Sequence, residues 1–486
     1  MNAHIISRRR FLNYAGVAGA VAGTVAVSGC TLGVPGDTHL SESGRPSGLR
    51  ALYATVEANA AAVQSLLPAF REAFGFDLTL DTQPYNALQQ KVFSELATHS
   101  SYYDIIIVDT PWAPTLTHVL EPMSKYLRDP KLNQLADPAI DDFVPKVFYD
   151  TGVFKVDDPA VHYPDSEATP NIDAITSKGF EVLGLPIQAN VLTMGYRKDI
   201  FDDANEQVAF RQQHGRPLTV PETLDDLVTV GRFFTRPTQR LYGTTLMGGV
   251  GDWATCEFKS YLAAFGGDGH VLTDDLQMAF DSPAGVQALQ FMRDLVDKYN
   301  IVPPGSESAS WDDTASMFDG GLTVMSSNYH TFELSDTAKG GEIAYAVVPK
   351  GSARGPHFGS YVLSINKYSR FKEWAYQAIT WITAANQQMT MVEQELHPTR
   401  TSVYNKAAND AHLTNKYGNF YDALGKSLNV GVGRPRLTNY TEVSHDIAVQ
   451  LNNAVAGRVS PQSALKAAVA DVSDSLRKAD YTVPST

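Results

Sequence analysis

Six side chains able to bind a hydroxylated solute follow three predicted strands in the first part of the chain. They combine carboxylates, amides and aromatic rings, and they are Glu57, Asn59, Gln83, Tyr85, Asp109 and Trp112. Carboxylates and amides hydrogen-bond hydroxyl groups, whereas an aromatic face covers the C–H surface of a sugar ring. A cleft for free phosphate or sulfate would instead favour cationic groups and helix N-termini. The residue types therefore indicate a neutral polyol or a cation as ligand.

Each of these side chains also has a structural explanation that the sequence leaves open. A single Tyr or Trp more often packs in a core than it contacts a ligand. Asp109 stands where its carboxylate could cap the helix that follows. The six residues are therefore candidates that the fold has to bring together.

Alternating strands and helices place these candidates. Residues 49–55, 77–81 and 105–108 predict strands, and apolar residues at intervals of three and four predict helices over 63–74 and 88–96. The run Ile-Ile-Ile-Val at 105–108 is typical of a strand that is covered on both faces. Strand and helix alternate here as in a parallel α/β sheet. Ligands of such sheets bind beyond the carboxyl ends of the strands, where the candidate residues lie.

Later helices are marked by their starts and their apolar faces. Ser-Pro pairs at 282–283 and 460–461 each predict an N-cap followed by proline at the first helical position. Apolar stripes over 371–382 and 464–476 predict helices that pack in the core. Residues 155–178 are polar and contain three prolines, which favours a surface excursion.

Residues 1–29 have the features of an export signal. The run SRRRFLN from residue 7 is similar to a twin-arginine motif, and the uncharged stretch that follows ends in Val-Ser-Gly-Cys, similar to a bacterial lipobox. We expect cleavage before Cys30, a lipid on Cys30, and a flexible tether over 30–48, which is rich in Gly, Pro and Ser. The alternative is an uncleaved membrane span, although the stretch is rich in Gly and Ala.

Charge and cysteine content exclude several classes. The 486-residue chain has a formal charge of −14, and its signal carries three arginines and no acid, so the mature chain is more acidic still. Nucleic acids and anionic lipid surfaces need basic partners, so neither is expected to bind. Only two cysteines are present, which excludes a disulfide framework once Cys30 carries lipid. Cys256 lies among apolar neighbours and is expected to be a buried, inert thiol.

Several segments carry motifs that occur together in one known family. The segments are 103–112 (YDIIIVDTPW), 185–190 (LPIQAN), 195–201 (GYRKDIF), 223–227 (TLDDL), 316–325 (SMFDGGLTVM), 397–404 (HPTRTSVY) and 456–461 (AGRVSP). In this order they resemble the motifs of extracellular solute-binding proteins of ABC importers, in particular the carbohydrate-binding group. Each motif is weak by itself, but together they extend over nearly all of the mature chain. The excursion at 155–178 is longer than the family pattern and could reshape one edge of a cleft.

The resemblance implies an α/β fold of the type II periplasmic-binding-protein class. Two lobes would be joined by crossover hinge strands, and the ligand would bind in the cleft between them. By analogy, lobe one comprises residues 49–188 plus 362–395, and lobe two comprises residues 193–358 plus 399–486. The strand pattern supports lobe one independently, but it does not by itself predict the crossovers.

The resemblance also implies binding residues in and near lobe two. Family members stack sugars on tryptophans in cleft loops and direct the arginine of the Pro-Thr-Arg motif toward ligand hydroxyls. This usage corresponds to Trp253, Trp311 and Arg400. The candidates that this part of the chain offers are Asn190, Trp253, Trp311, Asn328, Tyr329, His330, Tyr361 and Arg400. Trp253 follows a glycine-rich run, Gly-Gly-Val-Gly-Asp, that we interpret as a flexible cleft loop.

The function that follows is capture of a sugar or polyol outside the cytoplasm and delivery to a membrane permease. The protein would act as a monomeric lipoprotein, with no cofactor and no metal, and it would not be an enzyme. A surface receptor without a transport role is an alternative, because the same cleft would serve both. An exported hydrolase is a second alternative, although the chain contains no Gly-x-Ser-x-Gly, no His-Glu-x-x-His and no Cys/His metal spacing.

Overall fold

The computed structural model describes residues 44–55, 58–156, 162–329 and 342–484. The export signal over 1–29, the lipidation site Cys30 and the candidate ligand residues Glu57 and His330 lie outside the described residues. Strand β1 begins at Gly48, which is the last residue of the predicted tether.

A six-stranded sheet forms the first part of the molecule. Its strands are β1 (Gly48–Ala54), β2 (Asp77–Gln83), β3 (Ile105–Asp109), β4 (Leu120–Glu121), β7 (Leu185–Val191) and β11 (Phe358–Asn366). Strands β2, β1 and β3 are parallel neighbours, as predicted. The rest of the sheet departs from the parallel prediction, because β11 runs antiparallel to β3, β4 and β7. The chain enters β11 on its return from the second sheet, and this sets the opposite direction.

Seven helices precede β7 in the described part of the chain. They are α1 (Ala60–Ser65), α2 (Leu67–Phe74), α3 (Tyr85–Ala97), α4 (Ala113–Leu116), α5 (Ser124–Leu127), α6 (Pro145–Gly152) and α7 (Ile172–Ser177). The single helix predicted over 63–74 is two helices that meet at Leu66. Pro68 explains the break, because it has no N–H to donate to the carbonyl of Gln64.

A three-stranded antiparallel sheet organises the second part. Strand β8 (Thr193–Arg197) lies between β9 (Met325–Asn328) and β10 (Ile343–Ala346). Six helices lie between β8 and β9: α8 (Lys198–Phe201), α9 (Ala204–His214), α10 (Leu224–Phe234), α11 (Asp252–Ala264), α12 (Pro283–Asp297) and α13 (Trp311–Asp319). The side chain of Ser282 caps α12 by accepting from the N–H of Gly285, so this predicted helix start is confirmed.

The chain ends in helices that follow β11. They are α14 (Lys372–Ile382), α15 (Ala385–Val392), α16 (Thr401–Asn409), α17 (Ala411–Tyr417), α18 (Phe420–Asn429), α19 (Tyr440–Val455) and α20 (Pro461–Lys478). Short 3-10 helices occupy Ile140–Asp142, Pro237–Gln239 and Ser306–Ser308. Ser460 caps α20 through the N–H of Ser463, and the predicted stripes over 371–382 and 464–476 lie on α14 and α20.

Three hydrophobic clusters divide the buried side chains. The first draws on residues 49–187 and 361–396, around the six-stranded sheet. The second draws on residues 194–325 and 437–476. The third joins them, because it combines Ala189 and Phe358 of the first sheet with Ile343 and Tyr345 of the second, beneath helices α16 to α18. The chain therefore builds two cores that are bridged by a third.

The excursion predicted at 155–178 leaves and rejoins the first part through a small two-stranded sheet. Its strands are β5 (Val153–Phe154) and β6 (Glu181–Val182), which pair antiparallel. Within the excursion, α7 is held by Arg128, whose Nε and Nη2 donate to the carboxylate of Asp173 at 3.0 and 2.9 Å. Among the described residues, no helix combines the length and the apolar character needed to cross a membrane.

Candidate functional site

The carboxyl end of β3 places Asp109 beside two tyrosines. The phenol of Tyr85, at the start of α3, donates to Asp109 Oδ2 at 2.6 Å. The N–H of Thr110 donates to Asp109 Oδ1 at 2.8 Å, and Tyr361 of β11 lies directly opposite Asp109 in the sheet. Asp109 and Tyr361 are buried, whereas Tyr85 is half-buried. Three of the predicted residues are therefore brought together, and the carboxylate of Asp109 is oriented by donors from its own side.

The charge state of Asp109 depends on groups that come from the other side. Burial raises the pKa of the Asp109 carboxyl to about 6, while the positive charge of Arg434 and the hydrogen bond from Tyr85 act to lower it. The negative charge of Asp252 acts to raise it. Arg434 precedes α19 and Asp252 begins α11, both of which pack in the second cluster. The end of β3 thus faces a charged pair from the second part.

Arg434 and Asp252 form that pair. Arg434 donates from Nε at 3.0 Å and from Nη2 at 2.7 Å to Asp252 Oδ2. Asp252 Oδ1 accepts from the phenol of Tyr440 at 2.7 Å and the hydroxyl of Ser444 at 2.6 Å. Tyr440 and Ser444 are four residues apart on α19, so one face of that helix presents both donors. Burial opposes ionisation of Asp252, but Arg434 and the two hydroxyls lower its pKa overall.

One nitrogen of the Arg434 guanidinium takes no part in these hydrogen bonds. Arg434 Nη1 makes no hydrogen bond to any residue that the structure describes. The backbone of Gly359 passes so close that a Cβ at this position would lie 2.5 Å from Nη1. The side chain of Arg434 is only 7% exposed. The guanidinium is thus oriented by Asp252 and retains one pair of N–H donors for a further acceptor.

Aromatic rings form the other half of the site. The rings of Trp253 and Trp311 meet edge to face at 5.3 Å, and Trp311 meets Tyr329 at 6.3 Å. Both tryptophans are half-buried and pack against a small cluster of Leu192, Met247, Tyr329 and Val348. Such rings can cover the C–H face of a bound ring.

The glycines before Trp253 have a packing role instead of the flexible one that we expected. A Cβ at Gly248 or Gly249 would lie 2.7 or 2.6 Å from backbone carbonyls of Ser306 and Ser308. A Cβ at Gly251 would lie 2.3 Å from the Trp253 ring, which therefore folds back over this glycine. The glycine-rich run allows close approach and places the tryptophan.

Tyr329 is positioned by a contact between its phenol and a buried histidine. Its phenol is 2.7 Å from His357 Nδ1, and the two rings are perpendicular. Burial lowers the pKa of His357 well below its ordinary value, and the charges of Arg434 and Lys259 act in the same direction. His357 is therefore neutral at physiological pH.

The structure gives Arg400 a different set of contacts from those expected by analogy. Its guanidinium donates to three backbone carbonyls, those of Thr383 at 2.6 Å, Ala139 at 2.8 Å and Pro138 at 2.9 Å. It lies 3.9 Å from the centre of the Phe143 ring and is almost fully buried. These contacts attach the start of α16 to the first cluster. Because the guanidinium is engaged by backbone carbonyls, we leave Arg400 out of the proposed ligand set.

Three further candidates make hydrogen bonds or ring contacts within the protein. Asn328 Nδ2 donates to the carbonyl of Trp311 at 2.9 Å and to Thr314 at 3.1 Å, which holds α13 against β9. Asn59 caps α1 through the N–H of Ala62 and donates to a carbonyl after α15. Trp112 is buried, with its ring 5.2 Å from that of Tyr85. We treat all three as residues that support the site.

Gln83 and Asn190 keep part of their polar surface. Gln83 Nε2 donates to Asp81 Oδ1 at 2.8 Å, and Asn190 Oδ1 accepts from Gln188 Nε2 at 3.1 Å. Both Gln83 and Asn190 are half-buried. They remain candidates.

Sequence reasoning missed the Arg434–Asp252 pair and the charged groups that lie close to Cys256. Arg434 lies in the run Gly-Val-Gly-Arg-Pro-Arg at 431–436, where closely spaced glycines and arginines are the only signal of a site. Cys256 is fully buried, as expected, but its sulfur is 3.5 Å from Asp252 and 3.8 Å from Arg434. Its surroundings are charged because one turn of α11 separates it from Asp252. Burial raises the pKa of the thiol to about 12.

Within the described ranges, no group of three or more His, Cys, Asp or Glu side chains converges as metal ligands would. Asp252 accepts four hydrogen bonds from N–H and O–H groups of the protein, whereas Asp109 accepts two and keeps acceptor capacity.

Comparison with known proteins identifies relatives of the whole architecture. Residues 53–389 match the model of the bacterial extracellular solute-binding protein family. A probable ABC transporter-binding protein of Deinococcus radiodurans is 22% identical over 260 residues, which is 51% of this chain and 60% of that protein. The chain thus spans about three fifths of the length of this curated relative.

Solved structures extend the likeness to nearly the full length. Maltose-bound MalE3 of T. maritima superposes with a TM-score of 0.68 at 22% identity, over 88% of this chain and 99% of that one. A solute-binding protein of Agrobacterium vitis with bound D-mannitol gives a TM-score of 0.66 at 21% identity, over 89% and 99%. At this level of identity the likeness establishes the fold. The predicted two-lobe, type II periplasmic-binding-protein fold is confirmed.

Proposed function

Since the chain belongs to the bacterial extracellular solute-binding protein family, we propose that it captures a neutral sugar or polyol between its lobes and delivers it to an ABC importer permease. Mono-, di- and oligosaccharides fit the same description. The proposal extends to this chain what the maltose-bound and mannitol-bound neighbours bind. The family description agrees with our expectation of an export signal at residues 1–29.

The observation that carries the proposal is that the charge of Arg434 on lobe two acts on Asp109 on lobe one. Asp109 is an oriented acceptor on lobe one, and Arg434 Nη1 is an oriented donor on lobe two. Two adjacent hydroxyls of a sugar could donate to the first and accept from the second. A hydroxyl is both donor and acceptor, so a diol matches this pair without carrying charge.

Charge balance favours a neutral ligand. Asp252 is satisfied by Arg434, Tyr440 and Ser444, so it supports the guanidinium and is not free to bind a cation. A strong anion such as phosphate would be repelled by Asp109 and Asp252 at neutral pH. The half-buried rings of Trp253 and Trp311 would cover the C–H face of the ligand.

Binding is then a physical step without covalent chemistry. A ligand that contacts both lobes stabilises the closed arrangement by the difference in its contacts with the two states. A carrier must also release its cargo, so we expect moderate affinity. A micromolar dissociation constant corresponds to about −8 kcal/mol, with the cost of closure included.

The proposal also includes the oligomeric state, the membrane anchor, the lobe limits and the route of export. We propose that the protein works as a monomer, that lipid on Cys30 anchors it to the cell membrane, and that the lobes have the limits given above. The twin-arginine motif implies that the body folds before export. Replacing Arg8 and Arg9 with Lys should then block export, and normal secretion of that variant would reduce the segment to a generic signal.

A thermal-shift panel tests the binding function. The purified protein is heated with neutral sugars and polyols, including maltose and D-mannitol, and separately with peptides, divalent metals and inorganic phosphate. We expect stabilisation by at least one sugar or polyol, because binding to the folded state alone raises the unfolding temperature. Stabilisation only by peptides, metals or phosphate would contradict the proposal.

A further inference from the structure

We propose that Arg436 is a positioning residue of the candidate site, which attaches segment 431–438 to lobe one and thereby sets the position of Arg434 against β11 and relative to Asp109. The position of Arg434 does not depend on which ligand the protein binds. Its consequence for ligand binding rests on the proposed function.

Arg436 binds the end of a lobe-one helix. Its Nη1 donates to the carbonyls of Tyr149 at 2.9 Å and Asp150 at 3.2 Å, and its Nη2 donates to the carbonyl of Val153. These carbonyls lie at the C-terminus of α6, where the last C=O groups have no partner within the helix and carry partial negative charge. The guanidinium also lies 3.8 Å from the centre of the Phe154 ring. A single side chain of segment 431–438 thus satisfies a helix end of the opposite lobe.

Further contacts join the same segment to lobe one. Thr115 Oγ1 of α4 donates to the carbonyl of Thr438 at 2.7 Å. Lys146 Nζ of α6 reaches the carbonyl of Gly431 at 3.4 Å. The phenol of Tyr163, in the 155–178 excursion, accepts from the N–H of Arg436 at 3.2 Å. The excursion therefore contributes to this attachment.

Other contacts join the segment to lobe two. Arg434 pairs with Asp252 of α11, as described above, and Lys259 Nζ of the same helix donates to the carbonyl of Gly433. Segment 431–438 then continues into α19, which packs in the lobe-two cluster. Two arginines that are two residues apart consequently bind opposite lobes.

Pro435 makes this coupling stiff. The ring of proline fixes φ near −65°, which removes one of the rotations by which the backbone between Arg434 and Arg436 could absorb a shift. If Arg436 released the end of α6, we expect Arg434 to move relative to Asp109. A purely structural Arg436 would stabilise α6 and leave Asp109 unaffected, and this difference makes the idea testable.

The test is the titration of Asp109 in the ligand-free, full-length protein. The side-chain carboxyl carbon of Asp109 is followed by NMR in protein labelled with ¹³C-aspartate, and it is assigned by its loss in Asp109→Asn. The pKa is measured for wild type, Arg436→Ala, Arg434→Gln and the double variant. Since a nearby positive charge lowers the pKa of a carboxyl, we expect Arg434→Gln to raise it by about one unit. Arg436→Ala should raise the pKa of Asp109 when Arg434 is present. It should cause no further rise when Arg434 is already replaced by Gln.

Arg400→Ala is the matched control. Arg400 also donates to three backbone carbonyls and stacks on an aromatic ring, but on Phe143 and away from segment 431–438. We expect Arg400→Ala to lower the free energy of unfolding and to leave the pKa of Asp109 unchanged. If Arg436→Ala does not fold, Arg436→Lys replaces it, because an ammonium keeps the charge and cannot span three carbonyls.

The outcomes separate the two proposals. An unchanged or lowered Asp109 pKa in the Arg436 variant, or an equal rise in both backgrounds, would overturn the positioning role. Because no ligand is present, a failed sugar panel would leave this result standing. A failed titration would likewise leave sugar binding to be judged by its own assay.

Discussion

The pairing of Asp252 with Arg434 makes a quantitative prediction for Asp252→Asn. The substitution keeps the size of the side chain and removes the charge that faces a guanidinium with only 7% exposure. Asn still offers one oxygen to Arg434, and the hydroxyls of Tyr440 and Ser444 can rotate to accept from its amide. The main loss is therefore the charge that compensates Arg434. Removing one partner of a buried ion pair costs roughly 3–5 kcal/mol.

The lower end of that range applies here. The Asp252 side chain retains 24% exposure, so solvent screens part of the charge that remains. We expect a loss of about 3 kcal/mol in the free energy of unfolding. The assay is urea denaturation followed by circular dichroism, with the loss calculated from the shift in midpoint at constant slope.

Asp422→Asn is the control for this measurement. Asp422 pairs with Lys426 at 2.7 Å, but the two side chains are 45% and 62% exposed. Such a surface pair contributes about 0.5 kcal/mol or less. If Asp252→Asn costs no more than Asp422→Asn, Arg434 does not depend on Asp252, and the account of how the guanidinium is oriented is wrong.

Three further predictions follow from individual side chains. Trp253→Ala and Trp311→Ala should each weaken binding of a sugar found in the thermal-shift panel by about tenfold in fluorescence titration, and full affinity in both would refute stacking. Burial raises the pKa of Glu257 to about 7, so the folded state keeps its proton above pH 4.5. Stability should fall by about 3 kcal/mol relative to Glu257→Gln as pH rises from 4.5 through 7, and parallel pH profiles would contradict this. Cys256 should resist iodoacetamide until the protein unfolds, whereas rapid labelling of folded protein would show that the thiol is accessible.

Local patterns predicted those parts of the fold that depend on neighbouring residues. The β-branched run at 105–108 identified β3, because a strand buried on both faces needs such residues. Ser282 and Ser460 identified two helix starts, because capping needs only residues three positions apart. The break at Leu66 was missed, since the apolar interval continues through Pro68 and conceals the lost hydrogen bond.

The site was predicted less well, because its parts are distant along the chain. Asp109 and Tyr85 were found together, since they stand at the carboxyl ends of β3 and β2, and the parallel strands β2, β1 and β3 end at one edge of the sheet. Asp252 and Arg434 are 182 residues apart, and no periodicity relates them. Arg400 was assigned by motif alone, and a motif carries no information about which carbonyls surround a guanidinium.

Isothermal titration calorimetry tests the central claim most directly. A sugar or polyol that stabilises the protein in the thermal-shift panel is titrated into wild type, Asp109→Asn and Arg434→Gln. If a hydroxylated ligand bridges the lobes through these two groups, wild type should bind at one site with micromolar affinity. Each variant should lose at least about tenfold in affinity, equivalent to 1.4 kcal/mol. Equal affinity in all three proteins would contradict the claim that Asp109 and Arg434 hold the ligand between the lobes.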